Sequence, residues 1–249
     1  MAQVEYKDLL SAGVHFGHLT RKWEPKMAPY IFMEKNGIHI IDLNKTISAM
    51  NEAGEALKKL IRAGKKIMFV ATKKQAQEVV SDEAKRLKMP YVTERWLGGM
   101  LTNFQTVKKS LKKLANIDKM EKSDAYLNLA KRERLMMQRE KEKLEKVLGG
   151  ITDLTRAPAA LFIVDIKKEH IAVKEAIKLG IPIFGMVDTN SDPNLVDFAI
   201  PANDDAFKSI EIITKFVGAS IEEALHERKQ DKDDQKIKEE ETKKRDIDA

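Results

Sequence analysis

The sequence contains no cysteine, few aromatic residues and no long apolar segment. The absence of cysteine excludes disulfides, thiol nucleophiles, cysteine zinc sites and iron–sulfur clusters. Aromatic residues make up 6% of the 249 residues and charged residues 34%, which predicts a lean aliphatic core beneath a highly charged surface. No apolar run approaches the roughly 18 residues of a membrane helix, and the N-terminus lacks the apolar core of a secretory signal. We therefore expect an intracellular, cytoplasmic protein of one to two domains that does not associate with a membrane.

The motifs of nucleotide-binding and hydrolytic enzymes are also missing. No Gly-x-Gly-x-x-Gly follows a predicted strand, and the P-loop, His-Glu-x-x-His and Gly-x-Ser-x-Gly patterns do not occur. The pairs Gly98-Gly99 and Gly149-Gly150 are explained as turns at the two ends of a helical insertion. We predict no catalytic residue, no cofactor and no small-molecule substrate.

The net charge of +6 is unevenly distributed along the chain. Residues 105–148 contain 13 Lys/Arg and 7 Asp/Glu, whereas residues 222–249 contain 8 Lys/Arg and 11 Asp/Glu. A basic excess concentrated in one segment is typical of proteins that bind polyanions. A solvated helical surface is the alternative explanation.

Apolar runs alternate with helical patterns along most of the chain. Asn36-Gly37 favours a hairpin turn between predicted strands at 30–33 and 38–41. The next runs are apolar at successive positions, as in strands buried on both faces. Helical patterns at 73–88 and 169–179 separate some of them, and this alternation predicts an α/β fold with a doubly wound parallel sheet. The five predicted parallel strands lie at 66–71, 91–93, 160–165, 183–187 and 198–200.

Two regions depart from this alternation. Residues 102–149 show two charged helices with narrow apolar stripes and a break near residues 122–125, which predicts an antiparallel helical hairpin. Residues 227–249 have too few apolar side chains to offset the entropy of ordering, so we expect a charged, disordered tail. The predicted organisation is an α/β domain of residues 1–101 and 150–226, the inserted hairpin of residues 102–149, and the tail.

Basic and aromatic side chains occur together in two segments and at one strand end. Residues 20–30 combine cations, prolines and rings that can contact phosphates and stack on bases. Residues 95–103 have a similar composition, although Trp96 is equally well explained as a core anchor. Lys73-Lys74 follows the first parallel strand, where a magnesium-dependent phosphoacceptor domain would carry acidic residues, so this crevice suits a phosphate backbone; solvated lysines are the alternative. The candidate RNA-binding residues are Arg21, Lys22, Trp23, Lys26, Lys73, Lys74, Arg95, Trp96, Lys108, Lys109, Lys112, Lys113, Arg132 and Arg134.

A cluster of carboxylates forms a second candidate site. Residues 188–192 and 203–205 follow two successive predicted strands, so their carboxylates should converge at one edge of the sheet. Asp204 and Asp205 are explained by capping of the next helix. The alternative is a divalent metal or a basic partner protein held by Asp188, Asp204 and Asp205, with His18 as a nitrogen ligand. His15 and His18 would share one face of a helix, but packing explains them more simply than a metal.

Five separated segments resemble, in order, the bacterial small-subunit ribosomal protein S2 family. They are Tyr6–His18, Phe69–Lys74, Arg95–Asn103, Pro158–Asp165 and Gly180–Asp192, and the resemblance extends from about residue 4 to residue 225. It implies a flavodoxin-like sheet with strand order 2-1-3-4-5 and a projecting helical hairpin.

The resemblance also implies a function. It indicates a non-enzymatic constituent of the small ribosomal subunit that binds small-subunit ribosomal RNA between the head and the body of the particle. Other small-subunit proteins would be partners, including the large OB-fold ribosomal protein S1, which docks there and helps to capture messenger RNA. We do not expect a homo-oligomer. A nucleotide-binding or phosphotransfer enzyme on the same fold, and a protein-only scaffold that uses the hairpin as a coiled-coil partner, are the alternatives.

Overall fold

A computed structural model describes the backbone of residues 4–123, 126 and 129–247, and the side chains of these residues up to residue 231. Short 3-10 turns occur at Thr20–Lys22, Pro25–Tyr30, Gly149–Ile151 and Pro193–Leu195. The helices are α1 (Tyr6–Ser11), α2 (Leu43–Arg62), α3 (Lys74–Arg86), α4 (Phe104–Glu121), α5 (Lys131–Leu148), α6 (His170–Leu179) and α7 (Phe207–Ile247). The strands are β1 (Phe16–Leu19), β2 (Ile31–Lys35), β3 (Ile38–Ile41), β4 (Ile67–Val70), β5 (Tyr91–Val92), β6 (Ala160–Val164), β7 (Ile183–Val187) and β8 (Phe198–Pro201).

Strands β4 to β8 form a parallel sheet in the order β5-β4-β6-β7-β8. When only the parallel strands are numbered, this order reads 2-1-3-4-5. Every residue of β4, β6 and β7 is buried, which explains why these strands are apolar at successive positions. The predicted doubly wound, five-stranded parallel sheet is confirmed. Its strand order reverses between β4 and β6, so loops at the carboxyl ends of these strands form a crevice.

Strands β1, β2 and β3 form a separate antiparallel sheet in the order β1-β3-β2. The predicted hairpin of β2 and β3 is confirmed, and its turn residues Asn36 and Gly37 have φ angles of 55° and 74°. Strand β1 was not predicted, because its four residues have no clear alternation of apolar and polar side chains. Since His15 precedes a strand to which His18 belongs, the two imidazoles do not share a helical face.

Helices cover both faces of the parallel sheet with two apolar clusters. One cluster joins α2, α3 and α7 to one face, through residues such as Leu57, Val80 and Val217. The other joins α6 and the base of the helical hairpin to the opposite face, through residues such as Val173 and Leu148. Burying one large aliphatic side chain contributes about 1.5–3 kcal/mol, so both clusters stabilise the packing of the helices on the sheet.

Helices α4 and α5 form the predicted antiparallel hairpin between β5 and β6. Leu114 and Ile117 of α4 are buried along the hairpin, and Val107 is buried at its base in the apolar cluster of the sheet face. At its distal end the apolar side chains of Met120 and Met136 are exposed. Residues 124, 125, 127 and 128, which include part of the predicted break, lie outside the described residues.

Helix α7 packs across α2 and α3 and continues beyond them to Ile247. Ion pairs of Glu222 with Arg86 and of Glu227 with Arg62 fasten its middle part. The backbone is helical into the predicted tail, and the side chains after residue 231 lie outside the described part of the chain. Within the described residues, no helix combines the length and the apolar character that crossing a membrane requires.

Candidate functional site

The lysines of α4 present cations along the helical hairpin. Lys109 and Lys112 are exposed and form no ion pair with a described residue. Lys113 is also exposed, but its ammonium pairs with Glu140 of α5. Lys109 and Lys112 are therefore free to neutralise an external polyanion, whereas Lys113 is partly committed to holding the two helices together.

The other predicted cations of the hairpin differ in exposure. The ammonium of Lys108 lies 5.4 Å from the centroid of the Phe104 ring. Arg132 is exposed, and Arg134 is half-buried with its Nε making no hydrogen bond to a described residue. The hairpin thus presents a set of cations along its length rather than one compact site.

The N-terminal arm carries the second group of predicted residues. Arg21 and Lys22 are exposed in a 3-10 turn, and the half-exposed ring of Trp23 lies 5.1 Å from that of His39. The Lys26 ammonium pairs with Asp192 at 2.5 Å, which fastens the arm to the loop after β7. Arg21, Lys22 and Trp23 remain available to a ligand.

The strand-end candidates divide into exposed and interior residues. Lys74 and Arg95 are exposed. Lys73 and Trp96 are buried, so their assignment as RNA contacts needs correction. Trp96 instead anchors the base of the helical hairpin, which was the alternative explanation from the sequence.

The anchor of Trp96 is the buried carboxylate of Glu175 on α6. Its two oxygens accept hydrogen bonds from the indole of Trp96, the backbone N–H groups of Gly99, Leu101 and Thr102, and the Thr102 hydroxyl, at 2.7–3.1 Å. Burial alone would raise the pKa of Glu175, but these hydrogen bonds outweigh it and lower the pKa below its ordinary value. Glu175 therefore holds the loop that leads into α4.

Sequence reasoning missed Glu175, although a signal was present. An acidic residue lies between Val173 and Ala176 on the apolar face of α6, where a charge is costly unless it is fully hydrogen-bonded. That position identifies a buried carboxylate, but only the fold shows which donors surround it.

Lys73 occupies the crevice at the carboxyl ends of β4 and β6. Its ammonium lies 3.2 Å from Asp165, 2.6 Å from Asp204 and 2.6 Å from Asp205. Burial alone lowers the pKa of Lys73, but the three carboxylates outweigh it and raise the pKa. The Lys168 ammonium donates to the carbonyl of Thr72 across the same crevice, so internal contacts fill the place where this fold binds a ligand.

His18 joins the same cluster from strand β1. Glycine at position 17 lets strand β1 pack closely against the loop after β7, because a Cβ there would lie 2.6 Å from the Thr189 side chain. The His18 ring lies with Nδ1 2.9 Å from Asp188 and Nε2 3.3 Å from Asp205. The hydrogen bond to Asp188 and the surrounding negative charge outweigh burial and raise the pKa of His18.

Asp204 is the most strongly perturbed carboxylate of the cluster. Burial and the charges of Asp188 and Asp165 raise its pKa to about 7, against the attraction of Lys73. Its Oδ1 contacts Lys73, and its buried Oδ2 has no hydrogen-bond partner in the described structure. Helix capping does not explain Asp204 or Asp205. The capping residue is Asn203, whose Oδ1 accepts hydrogen bonds from the backbone N–H groups of Asp205 and Ala206 just before α7.

The geometry of the cluster can accommodate a cation. Single ligand atoms of His18, Asp188 and Asp204 lie within 4.8 Å of one another. One imidazole nitrogen and carboxylate oxygens form a donor set suited to zinc or manganese. Asp192 does not join this cluster, because its carboxylate pairs with Lys26.

The comparisons with known proteins agree with the fold. The family model of ribosomal protein S2 matches residues 9–224. The small ribosomal subunit protein uS2 of Cytophaga hutchinsonii is 71% identical over 243 residues, which cover 98% of this chain and 96% of that protein. Proteins of the same name from Parabacteroides distasonis and Flavobacterium johnsoniae are each 60% identical, over 96% and 93% of this chain and 86% and 91% of theirs.

The fold and the site define an α/β protein with a flavodoxin-like parallel sheet, internal ion pairs in the crevice of that sheet, and a cationic helical hairpin. The matched segment covers most of the chain, and the chain belongs to the ribosomal protein S2 family. It is a structural constituent of the small ribosomal subunit with a role in translation, and it is not an enzyme.

Proposed function

We propose that the protein binds small-subunit ribosomal RNA by neutralising phosphates along the helical hairpin and the N-terminal arm. The observation that carries this proposal is the exposure of Lys109 and Lys112, which have no acidic partner among the described residues. Arg21, Lys22 and Lys74 are exposed in the same way and extend the cationic surface beyond the hairpin.

The three parts predicted from the sequence have separate roles in this proposal. The α/β domain of residues 1–101 and 150–226 fixes the base of the hairpin, and the hairpin of residues 102–149 reaches the RNA. The tail, residues 227–249, carries excess negative charge and is dispensable for RNA binding. The protein acts in the cytoplasm as a single copy within each small subunit.

We further propose that the surface formed with the other small-subunit proteins includes part of the docking site for ribosomal protein S1. The support is the family membership and the exposed distal end of the hairpin, where Met120, Leu135 and Met136 form an apolar surface that a protein can cover. In this arrangement the large OB-fold protein contacts the distal end of the hairpin. The sheet crevice does not take part in docking.

The carboxylate cluster supports a second role, the binding of a divalent cation. The buried Oδ2 of Asp204 favours it, because an unpartnered oxygen gains most from a ligand. The Asp188 carboxylate lies beside it and completes the set of candidate ligands. In this role His18 supplies the nitrogen ligand. The nearby Lys73 ammonium opposes binding, so affinity should be modest.

Titration of RNA binding with salt tests the main proposal. The purified chain is mixed with a transcript of small-subunit ribosomal RNA in filter-binding measurements at several salt concentrations. Each neutralised phosphate should add about 0.7–0.9 to the slope of log K against log salt concentration. An affinity that does not change with salt would reject the proposal, and co-sedimentation with small-subunit particles in a sucrose gradient provides an independent check.

A further inference from the structure

Three loops at the amino ends of the parallel strands form a continuous groove that includes none of the RNA-binding candidates above. The loop between α2 and β4 contributes Lys65 and Lys66, and the end of α3 contributes Lys85 and Lys88. The segment after α5 contributes Arg156. Two concavities of about 340 and 310 Å³ share Lys66, Asp153 and Leu154, so they form one groove.

The groove is strongly cationic. Its lining carries the five cations Lys65, Lys66, Lys85, Lys88 and Arg156, with Asp153 as its single carboxylate among the described residues. All five cations are exposed, and four of them form no ion pair within the described structure. Lys85 lies 3.8 Å from Asp82, which is the outer limit of an ion pair. Such a surface differs from the Lys73 cluster, in which carboxylates already neutralise the cation.

A second, independent observation concerns the backbone of Lys88. Its φ angle is +54°, a left-handed conformation that side chains other than those of Asn and Asp rarely adopt. The N–H groups of Lys88 and Met89 close the end of α3 on the carbonyls of Lys85 and Ala84, which is the Schellman arrangement. This arrangement favours glycine at the position that Lys88 occupies.

Three other helices of the chain end in the same way with the expected residue. Gly13, Gly64 and Gly180 follow α1, α2 and α6, with φ angles of 73°, 75° and 63°. Only α3, among the described helices, has a lysine there. The Lys88 side chain lines the groove, so the position that the backbone would leave to glycine carries one of the cations of the groove.

We propose that this groove binds the sugar-phosphate backbone of ribosomal RNA, at the end of the sheet opposite to the Lys73 cluster. The inference rests on the proposed RNA-binding function and adds a contact surface to it. Five cations around an elongated concavity with one carboxylate suit a polyanion, and the Arg228 guanidinium, which lies against Gly64, extends the positive charge at its border. The same cations would also attract an acidic protein, so the test must distinguish an acidic protein partner from RNA.

The test compares variants of the full chain in filter binding to a transcript of small-subunit ribosomal RNA. Lys88→Gly removes one cation and relieves the backbone, so its thermal unfolding temperature should equal or exceed that of the wild type. Its affinity should fall roughly five- to eightfold at 0.1 M salt, which corresponds to the loss of one phosphate contact with a slope of about 0.7–0.9. Lys88→Arg should retain wild-type affinity, and Lys65→Glu with Lys66→Glu should weaken binding further.

A matched control and the separate outcomes make the test decisive. The control is Lys7→Glu with Lys208→Glu, which makes the same change of charge as Lys65→Glu with Lys66→Glu. Both of its residues are exposed and lie near the carboxyl end of the sheet, so the control should bind RNA as the wild type does. If the wild type binds and the groove variants bind equally well, or if the control loses as much affinity, the groove is not an RNA site although the proposed function stands. If the groove variants lose incorporation into subunits but keep their RNA affinity, the groove holds a protein partner and the proposal fails. If the wild type itself does not bind the RNA, both the proposed function and the groove are rejected.

Discussion

The indole Nε1 of Trp96 donates a hydrogen bond of 3.1 Å to Oε1 of Glu175. This contact connects the loop that precedes the helical hairpin to helix α6, on the face of the sheet where the hairpin base is buried. Because the same carboxylate accepts three backbone N–H groups of that loop, it fixes both the position and the conformation of the hairpin base.

Glu175→Ala should destabilise the protein. The buried donors of Trp96 and Leu101 would lose their acceptor, and each unsatisfied buried group costs about 1–3 kcal/mol, so we expect the free energy of unfolding to fall by roughly 2–6 kcal/mol. Denaturant unfolding followed by tryptophan fluorescence, to which Trp23 and Trp96 both contribute, measures this change. Lys174→Ala, on the exposed face of the same helix, should change stability by less than about 0.5 kcal/mol. Equal stabilities of the two variants would show that the carboxylate does not hold the loop.

Lys109→Glu combined with Lys112→Glu should weaken RNA binding without unfolding the protein. Both side chains are exposed, so the thermal transition should stay near that of the wild type. If each lysine contacts one phosphate, the salt slope of RNA affinity should fall by about 1.4–1.8. The Lys7→Glu, Lys208→Glu double variant serves as the charge-matched control. Wild-type incorporation of the hairpin variant into subunits would mean that these lysines form only a solvated surface.

Asp204 should make stability depend on pH between about 4 and 7. Its pKa in the folded protein, about 7, is above the ordinary value of 3.8, so the folded state binds more protons than the unfolded chain in this range. Its contribution is therefore complete below the ordinary pKa and is lost as pH rises through 7, with a slope of up to about 1.4 kcal/mol per pH unit. Asp204→Asn should remove this contribution, which urea unfolding at several pH values measures as the difference from the wild type. Parallel pH profiles of the two proteins would contradict the prediction.

The carboxylate cluster should bind a divalent cation that Asp188→Asn abolishes. Calorimetry with zinc, magnesium and manganese tests this, and affinity should decrease as pH falls because protons compete for His18 and Asp204. Asp192→Asn is the control, since Asp192 lies outside the cluster. No detectable binding of any of the three metals would exclude a metal role. The carboxylates would then have a local structural role only.

Removal of residues 229–249 should spare both folding and RNA binding. The truncated chain keeps the ion pair of Arg62 with Glu227 and the contact of Arg228 with Gly64, and the removed segment carries net negative charge. Thermal unfolding should remain cooperative, and RNA affinity should stay at or above that of the wild type. A broadened transition would show that the end of α7 contributes to the packed core.

The sequence by itself determined the parts of the fold whose signals are local. Asn36-Gly37 specifies its turn through backbone conformation alone, and the buried strands reveal themselves because helices on both faces require apolar side chains at successive positions. The narrow apolar stripes of residues 102–149 likewise predict two helices that can bury little except against each other. Strand β1 has no such signal, because four residues that pair through backbone hydrogen bonds need no characteristic pattern.

Only the tertiary structure decided which charges face solvent and which neutralise one another. Lys73 and Lys74 are adjacent and chemically identical, yet one is enclosed by three carboxylates from distant loops and the other is exposed. Sequence proximity carries no information on such pairing, because the partners of Lys73 lie 92 or more residues away along the chain. The basic groove at the amino ends of the strands has the same origin, since its cations come from three separate loops that only the parallel sheet brings together.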